Sequence, residues 1–567
     1  MKKVLLKILY FFAAGLVLFF IASGLENKPE EEPEPEADIA AEEEPSFSSE
    51  PDYTNFTNIA FDAASVSVSG TGVMVNGTAV TIAFPGTYRL SGVSDNASVT
   101  VNCEYDGSVF LWLDGLSLTC ESGPALYIAD AIETTVLLAE GSENYLADAA
   151  YTIADNAETA RYGAALLSRD NLTVTGGGRL TVAGFYKNGL QCNDSLSLNG
   201  ADIVITAIND AVKANDAITV TGATLQLLSS GDGIQCDDGD IFLSESTVII
   251  ASEEDGISAA GEVALTDSVL TVGTHGGAEN YAVIEAEGVS AKGIRADKLS
   301  VYNCRLDFDC ADDALHAADT CLLTQGVYAL RSGNNAIYAG TSLEAEALSL
   351  DIPTSYDGLQ APQITLQGGS VTIAAEDDAL QASRGDLLQG VSAGECFVKI
   401  TDGYVSLCSA SGIASDGDIL LLGGEVYIQV LSAETAALQW GSRLVLEGCE
   451  LFGTGLFSAA EPAEENLSQC VLAWSFAEEK PAETVFTLTD AVGSEMFTAA
   501  PEQAYSSVFY SSPMLETEGV YTLSAAEESA NIQLLSLYTQ GSGVPVAAAQ
   551  QESSSGSKKD GGMPGMR

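Results

Sequence analysis

A short motif, [Asp/Asn]-[Gly/Ala]-aliphatic-x-small, returns along the middle of the chain at nearly constant spacing. It reads NGLQC at 188–192, DAVKA at 210–214, DGIQC at 232–236, DGISA at 255–259, DALHA at 313–317, NAIYA at 335–339, DGLQA at 357–361 and DALQA at 378–382. Weaker copies lie at 292–296, 411–415 and 436–440. Successive second residues are 22, 22, 23, 37, 21, 22, 22, 21, 33 and 25 apart, a period of 22 with insertions near 273–290 and 384–398. Between the copies, apolar and polar residues alternate, as in ITVTGATLQLLSS (218–230) and IFLSESTVIIAS (241–252), which predicts strands. A 22-residue all-β unit with Gly, Asp and Asn turns is one coil of a parallel β-helix. Propeller blades need roughly 40–50 residues, and the Leu-x-x-Leu-x-Leu pattern of leucine-rich repeats is missing. Residues 88–456 have room for about 16 coils, a rod roughly 75–80 Å long at strand spacing.

Stacked coils place equivalent residues above one another, so rows can be read. Leu190, Val212, Ile234, Ile257, Ile294, Leu315, Ile337, Leu359, Leu380, Ile413 and Leu438 form an inward aliphatic row. Two residues on, Cys192, Ala214, Cys236, Ala259, Ala296, Ala317, Ala339, Ala361 and Ala382 form a small inward row. Between them the outward row runs Gln191, Lys213, Gln235, Ser258, Arg295, His316, Tyr338, Gln360 and Gln381. Its long, planar-tipped side chains suit hydrogen bonding to sugar hydroxyls and carboxylates.

Acidic residues flank that face. One row is Asn188, Asp210, Asp232, Asp255, Asp313, Asn335, Asp357 and Asp378; the other is Asp194, Asp216, Asp238 and Asp319. Carboxylates stacked at strand spacing repel unless they are protonated, turned away or bridged by a cation. Asp or Asn before Gly also caps turns through its own side chain. Hard, oxygen-binding Ca²⁺ is the expected bridging ion, with Asp210/Asp232/Glu254/Asp255 and Asp312/Asp313/Asp357/Asp377/Asp378 as the candidate clusters.

The chain of 567 residues carries 80 Asp+Glu against 22 Lys+Arg, a net charge of −58. This excludes nucleic acid, which needs clustered Lys and Arg, and docking on anionic lipid. The 11 cysteines are an odd number without CxxC spacing and read as small core residues, although Cys304, Cys310 and Cys321 are near enough in sequence to oxidise. With 2 histidines, a zinc site is not expected. Residues 1–25 read as an export signal or membrane anchor: Lys2, Lys3 and Lys7, then the apolar run Ile8 to Leu25. Residues 26–55 are an acidic Glu/Pro-rich spacer, 56–465 the β-helix, 466–540 a small β-rich cap over its open end, and 541–567 a disordered tail. The protein is therefore expected outside the cytoplasm, secreted or on the cell surface, as a monomer that meets a membrane only through its N-terminal segment.

Several stretches resemble a bacterial cell-surface family of carbohydrate-binding, right-handed parallel β-helix proteins. They are FYKNGLQCNDSLSLNGADIVITAINDAVKANDAITVTG (185–222), SGDGIQCDDGDIFLS (230–244), DCADDALHAADTCLLTQG (309–326) and SYDGLQA (355–361). The segments 64–92, 109–148 and 468–524 are similar as well, so the likeness runs over most of 56–537. The resemblance implies binding of cellulose and of acidic, pectin-type polysaccharide, bound calcium, and a fold related to pectate lyases without established lyase activity. The chain departs from the pattern at Lys292, where an acid is usual, and in the copies at 411 and 436, which lack acids.

The first reading is a non-catalytic binder of plant-type or other acidic polysaccharide, assisted by calcium. It would use Gln191, Lys213, Gln235, Arg295, His316, Tyr338, Gln360 and Gln381. Aromatics are sparse on this row, which favours acidic over cellulosic glycan. A calcium-dependent pectate-type lyase is the alternative; it would need Lys213 or Arg295 as the base that takes a proton from the uronate. A structural adhesin or wall spacer is the third reading.

Overall fold

The structure, a computed structural model, describes residues 55–105, 107–149, 163–384, 395–432, 435–458 and 461–543. The expected export segment, nearly all of the spacer and most of the C-terminal tail lie outside the described residues. The chain winds into a right-handed parallel β-helix of about 15 turns of ~23 residues. A coil has three strands, for example Val212–Ala214, Ala217–Thr221 and Thr224–Ser229. Each pairs in parallel with its counterpart one coil on: Ile234–Cys236, Asp240–Ser244 and Thr247–Ser252. The short motif strands stack into one 16-stranded sheet, which is one face of the rod.

The motif follows from this stacking. Every member of the aliphatic row from Leu190 to Leu438 is fully buried, each contributing about 1.5–3 kcal/mol of hydrophobic stabilisation. The residue before it must be small: a Cβ on Gly233 would lie 2.4 Å from Ile250 Cγ2 and 2.5 Å from the Gly256 carbonyl oxygen. The following small row is also buried. All eleven cysteines are unpaired and, apart from half-buried Cys408, buried. Burial pushes the Cys192 and Cys321 thiols up to about 12, which leaves them inert as nucleophiles.

Both ends depart from the coil. At the start, Thr57–Asp62 pairs antiparallel with Ser65–Ser69, and Val73–Asn76 with Ala79–Ile82. At the other end, Tyr505–Ser511 runs antiparallel on the last coil strand, Glu450–Thr454, and on Val471–Lys480. A four-stranded antiparallel sheet (Phe486–Thr489, Glu495–Ala499, Val520–Ala525, Glu528–Gln533) lies beyond. It has its own core, with Phe452, Phe486, Phe497 and Tyr510. These strands cover the end of the solenoid core and pair its last edge.

The insertion after Thr274 contains the α-helix Tyr281–Glu287, closed by Gly288 in the left-handed region (φ 68). Strand periodicity did not announce it, because seven residues are too few to show a helical period. Its Ile284 and Tyr281 pack on Ala311 and Ala291, so the insertion folds back against the next coil. No helix among the described residues is long and apolar enough to cross a membrane.

Two predictions test the core. Ile257→Ala should lower unfolding free energy by about 2–5 kcal/mol in urea titrations, as for other large-to-small core changes. Asp148 is buried; its Oδ1 accepts the N–H groups of Phe185 and Tyr186, while Oδ2 has no partner. Burial raises its pKa to about 6, against the opposing pull of those two hydrogen bonds. A raised carboxyl pKa means that the folded state holds its proton more tightly. The stability it contributes is complete below about pH 4 and is lost as pH rises through about 6, on the order of 2–3 kcal/mol. Asp148→Asn should flatten that part of the pH–stability curve; an unchanged slope would contradict the assignment.

Candidate functional site

The outward row lies on the short-strand sheet. Its residues pair in unbroken register: Gln191 with Lys213, Lys213 with Gln235, Gln235 with Ser258, Ser258 with Arg295, Arg295 with His316. His316 pairs with Tyr338, Tyr338 with Gln360, and Gln360 with Gln381. Their side chains therefore form a line along the rod with one residue per coil, about 4.8 Å apart. Ser258 is the one buried member, a gap beside Arg295, whose side chain is 56 % exposed.

Neighbours in the line fix each other. Asn188 donates to Gln191 Oε1 (3.1 Å), and Gln191 donates to Asn193 (3.3 Å). The Lys213 ammonium donates to Gln235 Oε1 (2.9 Å) and Asp237 Oδ1 (2.8 Å). His316 Nδ1 donates to Asp313 Oδ2 (2.7 Å), and its ring stacks on Tyr338 with centroids 4.7 Å apart and planes at 12°. Gln360 donates to Gln381 Oε1, and Gln381 donates to Asp378 Oδ2 (2.7 Å). Because His316 and Tyr338 stack along the coil direction, each covers a face of the other. They present edges and polar atoms outward, which suits hydrogen bonding more than stacking under a sugar ring.

The first acidic row does something the sequence did not reveal. Asn188, Asp210, Asp232, Asp255, Asp313, Asn335, Asp357 and Asp378 are all buried. Each of six side chains accepts, through Oδ1, the backbone N–H of the next coil's ladder residue. Asn188 takes Asp210 (3.2 Å), Asp210 takes Asp232 (3.1 Å), Asp232 takes Asp255 (2.9 Å) and Asp255 takes Lys292 (2.8 Å). Asp313 takes Asn335 (3.0 Å) and Asp357 takes Asp378 (3.0 Å). The row is thus a side-chain ladder that holds coil to coil. The interchange of Asp and Asn was the signal available in the sequence: both offer the same acceptor oxygen. Asp255 also accepts the Ser290 hydroxyl (2.7 Å) and so anchors the end of the helical insertion.

The two proposed acidic clusters differ electrostatically. In Asp210/Asp232/Glu254/Asp255, burial and then repulsion from Asp255, Asp210 and Glu254 raise Asp232 to about 8. Asp210 and exposed Glu254 are raised as well, burial leading in both. The second cluster divides. Asp313 and Asp357 stand two coils apart, with Asn335 between them. Asp312 and Asp313 bind the Lys292 ammonium, which reaches Asp313 at 3.3 Å. Burial alone would raise Asp313, but the His316 hydrogen bond and the Lys292 charge outweigh it and hold the carboxyl below its ordinary range. Asp357 rises to about 6, from burial first and then from Asp378 and Asp377. Asp377 accepts the Tyr356 hydroxyl (3.2 Å). Among the described residues, no three His, Cys, Asp or Glu side chains converge as a ready-made metal cage.

The Lys292 arrangement gives a direct test. Lys292→Met should cost about 3–5 kcal/mol in urea unfolding, because it leaves buried Asp312 and Asp313 without their counter-charge. Adding Asp312→Asn should recover part of that loss. A Lys292→Met protein as stable as wild type would contradict the pairing.

Comparison with known proteins places this face in a context. A protein of Acetivibrio thermocellus described as a carbohydrate-binding domain-containing protein is 30 % identical over 150 residues, 26 % of this chain and 52 % of that relative. The chain thus spans about half the length of the curated relative it matches. A solved structure described as the polysaccharide lyase-like protein from C. thermocellum, gadolinium derivative, is 25 % identical, with a TM-score of 0.40 over 44 % of this chain and 97 % of that one. The stretch from the first coils to the ladder at Ala336, residues 76–336, matches the model of the family described as carbohydrate-binding domain-containing protein.

Proposed function

We propose that the protein binds polysaccharide along the outward row of its short-strand sheet, without catalysing its breakdown. The observation that carries this reading is the in-register line of polar side chains from Gln191 to Gln381, interrupted at buried Ser258. The family match over residues 76–336, which includes most of that line, supports it. A glycan lying parallel to the rod would meet one side chain per coil, so its affinity comes from many similar contacts.

Acidic glycan is the preferred class. Lys213 and Arg295 bring positive charge to a face on a strongly anionic protein, and Arg295 is exposed enough to fork onto a carboxylate. Of the two residues considered as lyase bases, Lys213 has its ammonium held by Gln235 and Asp237, and Arg295 is a guanidinium that keeps its proton. That favours binding over elimination chemistry.

Calcium enters this reading as a bridging ion. The Asp210/Asp232/Glu254/Asp255 stack has the hard oxygen donors Ca²⁺ requires, and a cation there would relieve the mutual repulsion that helps raise Asp232 to about 8. Its ladder oxygens are already engaged with backbone N–H groups, so the protein supplies only part of a coordination shell. Uronate carboxylates and water would complete it. The Asp312/Asp313 end does not fit an ion, because Lys292 already supplies the charge. Display outside the cell, through residues 1–25 and the acidic spacer, completes the proposal.

Retention on immobilised polygalacturonate and on cellulose, with Ca²⁺ and then with EDTA, tests it. Polygalacturonate should retain the protein with Ca²⁺ and release it in EDTA. Arg295→Ala should weaken retention about tenfold, the loss of a charge-assisted pair. No ultraviolet absorbance from unsaturated uronide should appear. Rising absorbance would make the protein a lyase, and no retention on either polymer would leave the adhesin or spacer.

A further inference from the structure

The C-terminal end of the solenoid holds a cavity that the row does not use. The short-strand sheet ends at Leu438–Trp440. Ala437 and Leu438 donate their N–H groups to the carbonyls of Leu456 and Phe457, which occupy the next coil position. The C-terminal strands close over this point. Phe457, Trp474 and Tyr538, together with Glu461, Ser507 and Gln540, line a cavity of about 130 Å³. It adjoins a trough of about 610 Å³ that shares Glu461, Tyr538 and Gln540 and continues past Pro462 and Glu464. The strand beside the trough, Tyr538–Ser542, pairs with Val471–Lys480 on one side and with no other strand among the described residues.

We propose that this cavity binds a single neutral sugar residue. Two features select that class. First, the walls combine aromatic rings with a carboxylate, an amide and a hydroxyl, the mixture that holds a ring with an apolar face and a hydroxyl rim. Second, among the described residues neither the cavity nor the trough is lined by Lys or Arg, while Glu461 and Glu464 are present, which disfavours an anionic sugar. The Trp474 indole keeps its place through close packing on Gly541, where a Cβ would lie 2.4 Å from the ring. A cavity of about 130 Å³ is well below the roughly 300–1,000 Å³ of sites for larger ligands, so one ring enters while the trough takes the rest of a chain.

The inference goes beyond the row and does not depend on it. The cavity lies outside residues 76–336 and uses none of the row's side chains. The test is calorimetry and tryptophan emission on the full chain, titrated with cellobiose, xylobiose and galactobiose, and separately with galacturonic acid and tetramethylammonium. At least one neutral disaccharide should bind saturably and shift the emission. Glu461→Gln and Gln540→Ala, both at exposed positions, should each weaken it about tenfold with an unchanged unfolding midpoint. Arg295→Ala should leave it unchanged. Absence of saturable binding by all three disaccharides would overturn the proposal. So would affinity indifferent to both cap variants, or preferred binding of galacturonic acid or tetramethylammonium.

Discussion

The hydrogen bond from one coil's backbone N–H to the previous coil's Asp or Asn side chain sets the geometry of the whole candidate face. It recurs at six of the turns that open the short strands between Asn188 and Asp378, as in Asp232 to Asp210 and Asp255 to Asp232. A turn N–H that would otherwise face its neighbour unpaired is satisfied, and the following strand starts at the same height in each of those coils. Strand register then follows, and with it the line from Gln191 to Gln381. A slip of one residue would turn that line inward and the aliphatic row outward.

The ladder concentrates negative charge in the wall of the rod, and the protein manages it in two ways. Near Asp313 it supplies partners of its own, the Lys292 ammonium and a hydrogen bond from His316. Near Asp232 it leaves acids close together, with Lys213 as the nearby positive group acting on Asp210. The same row of backbone-capping acids is therefore self-compensated in one stretch and left with like groups facing one another in another. The helical insertion belongs to the compensated stretch: it is anchored by Asp255 through Ser290 and the Lys292 N–H, and it delivers Lys292 to Asp312 and Asp313.

Much of this was legible in the sequence, because a solenoid writes its geometry as a period. The aliphatic row was read residue by residue, and every member is buried. The outward row was read in the same way, with Ser258 turning out to be a buried gap. What escaped was whatever depends on partners along the axis. Nothing in Asp210 taken alone tells that its carboxyl faces the next coil's N–H rather than solvent. Asp312 and Asp313 looked like part of one cluster with Asp357 because the acids are close in sequence pattern. Asn335 already stands between Asp313 and Asp357 in the row, but only the stacking shows the Lys292 ammonium bound by Asp312 and Asp313. The helix Tyr281–Glu287 and the cavity beneath the C-terminal strands lie where the period fails, so no row could be read there.

The central claim is that a glycan lies along the short-strand face, parallel to the rod. A crystal structure of the full chain with an oligogalacturonate of six or so residues and Ca²⁺ addresses it most directly. Sugar density should span several consecutive coils between Gln191 and Gln381, with a carboxylate against Arg295. Sugar bound only to the other two faces of the solenoid, with the row bare, would contradict it.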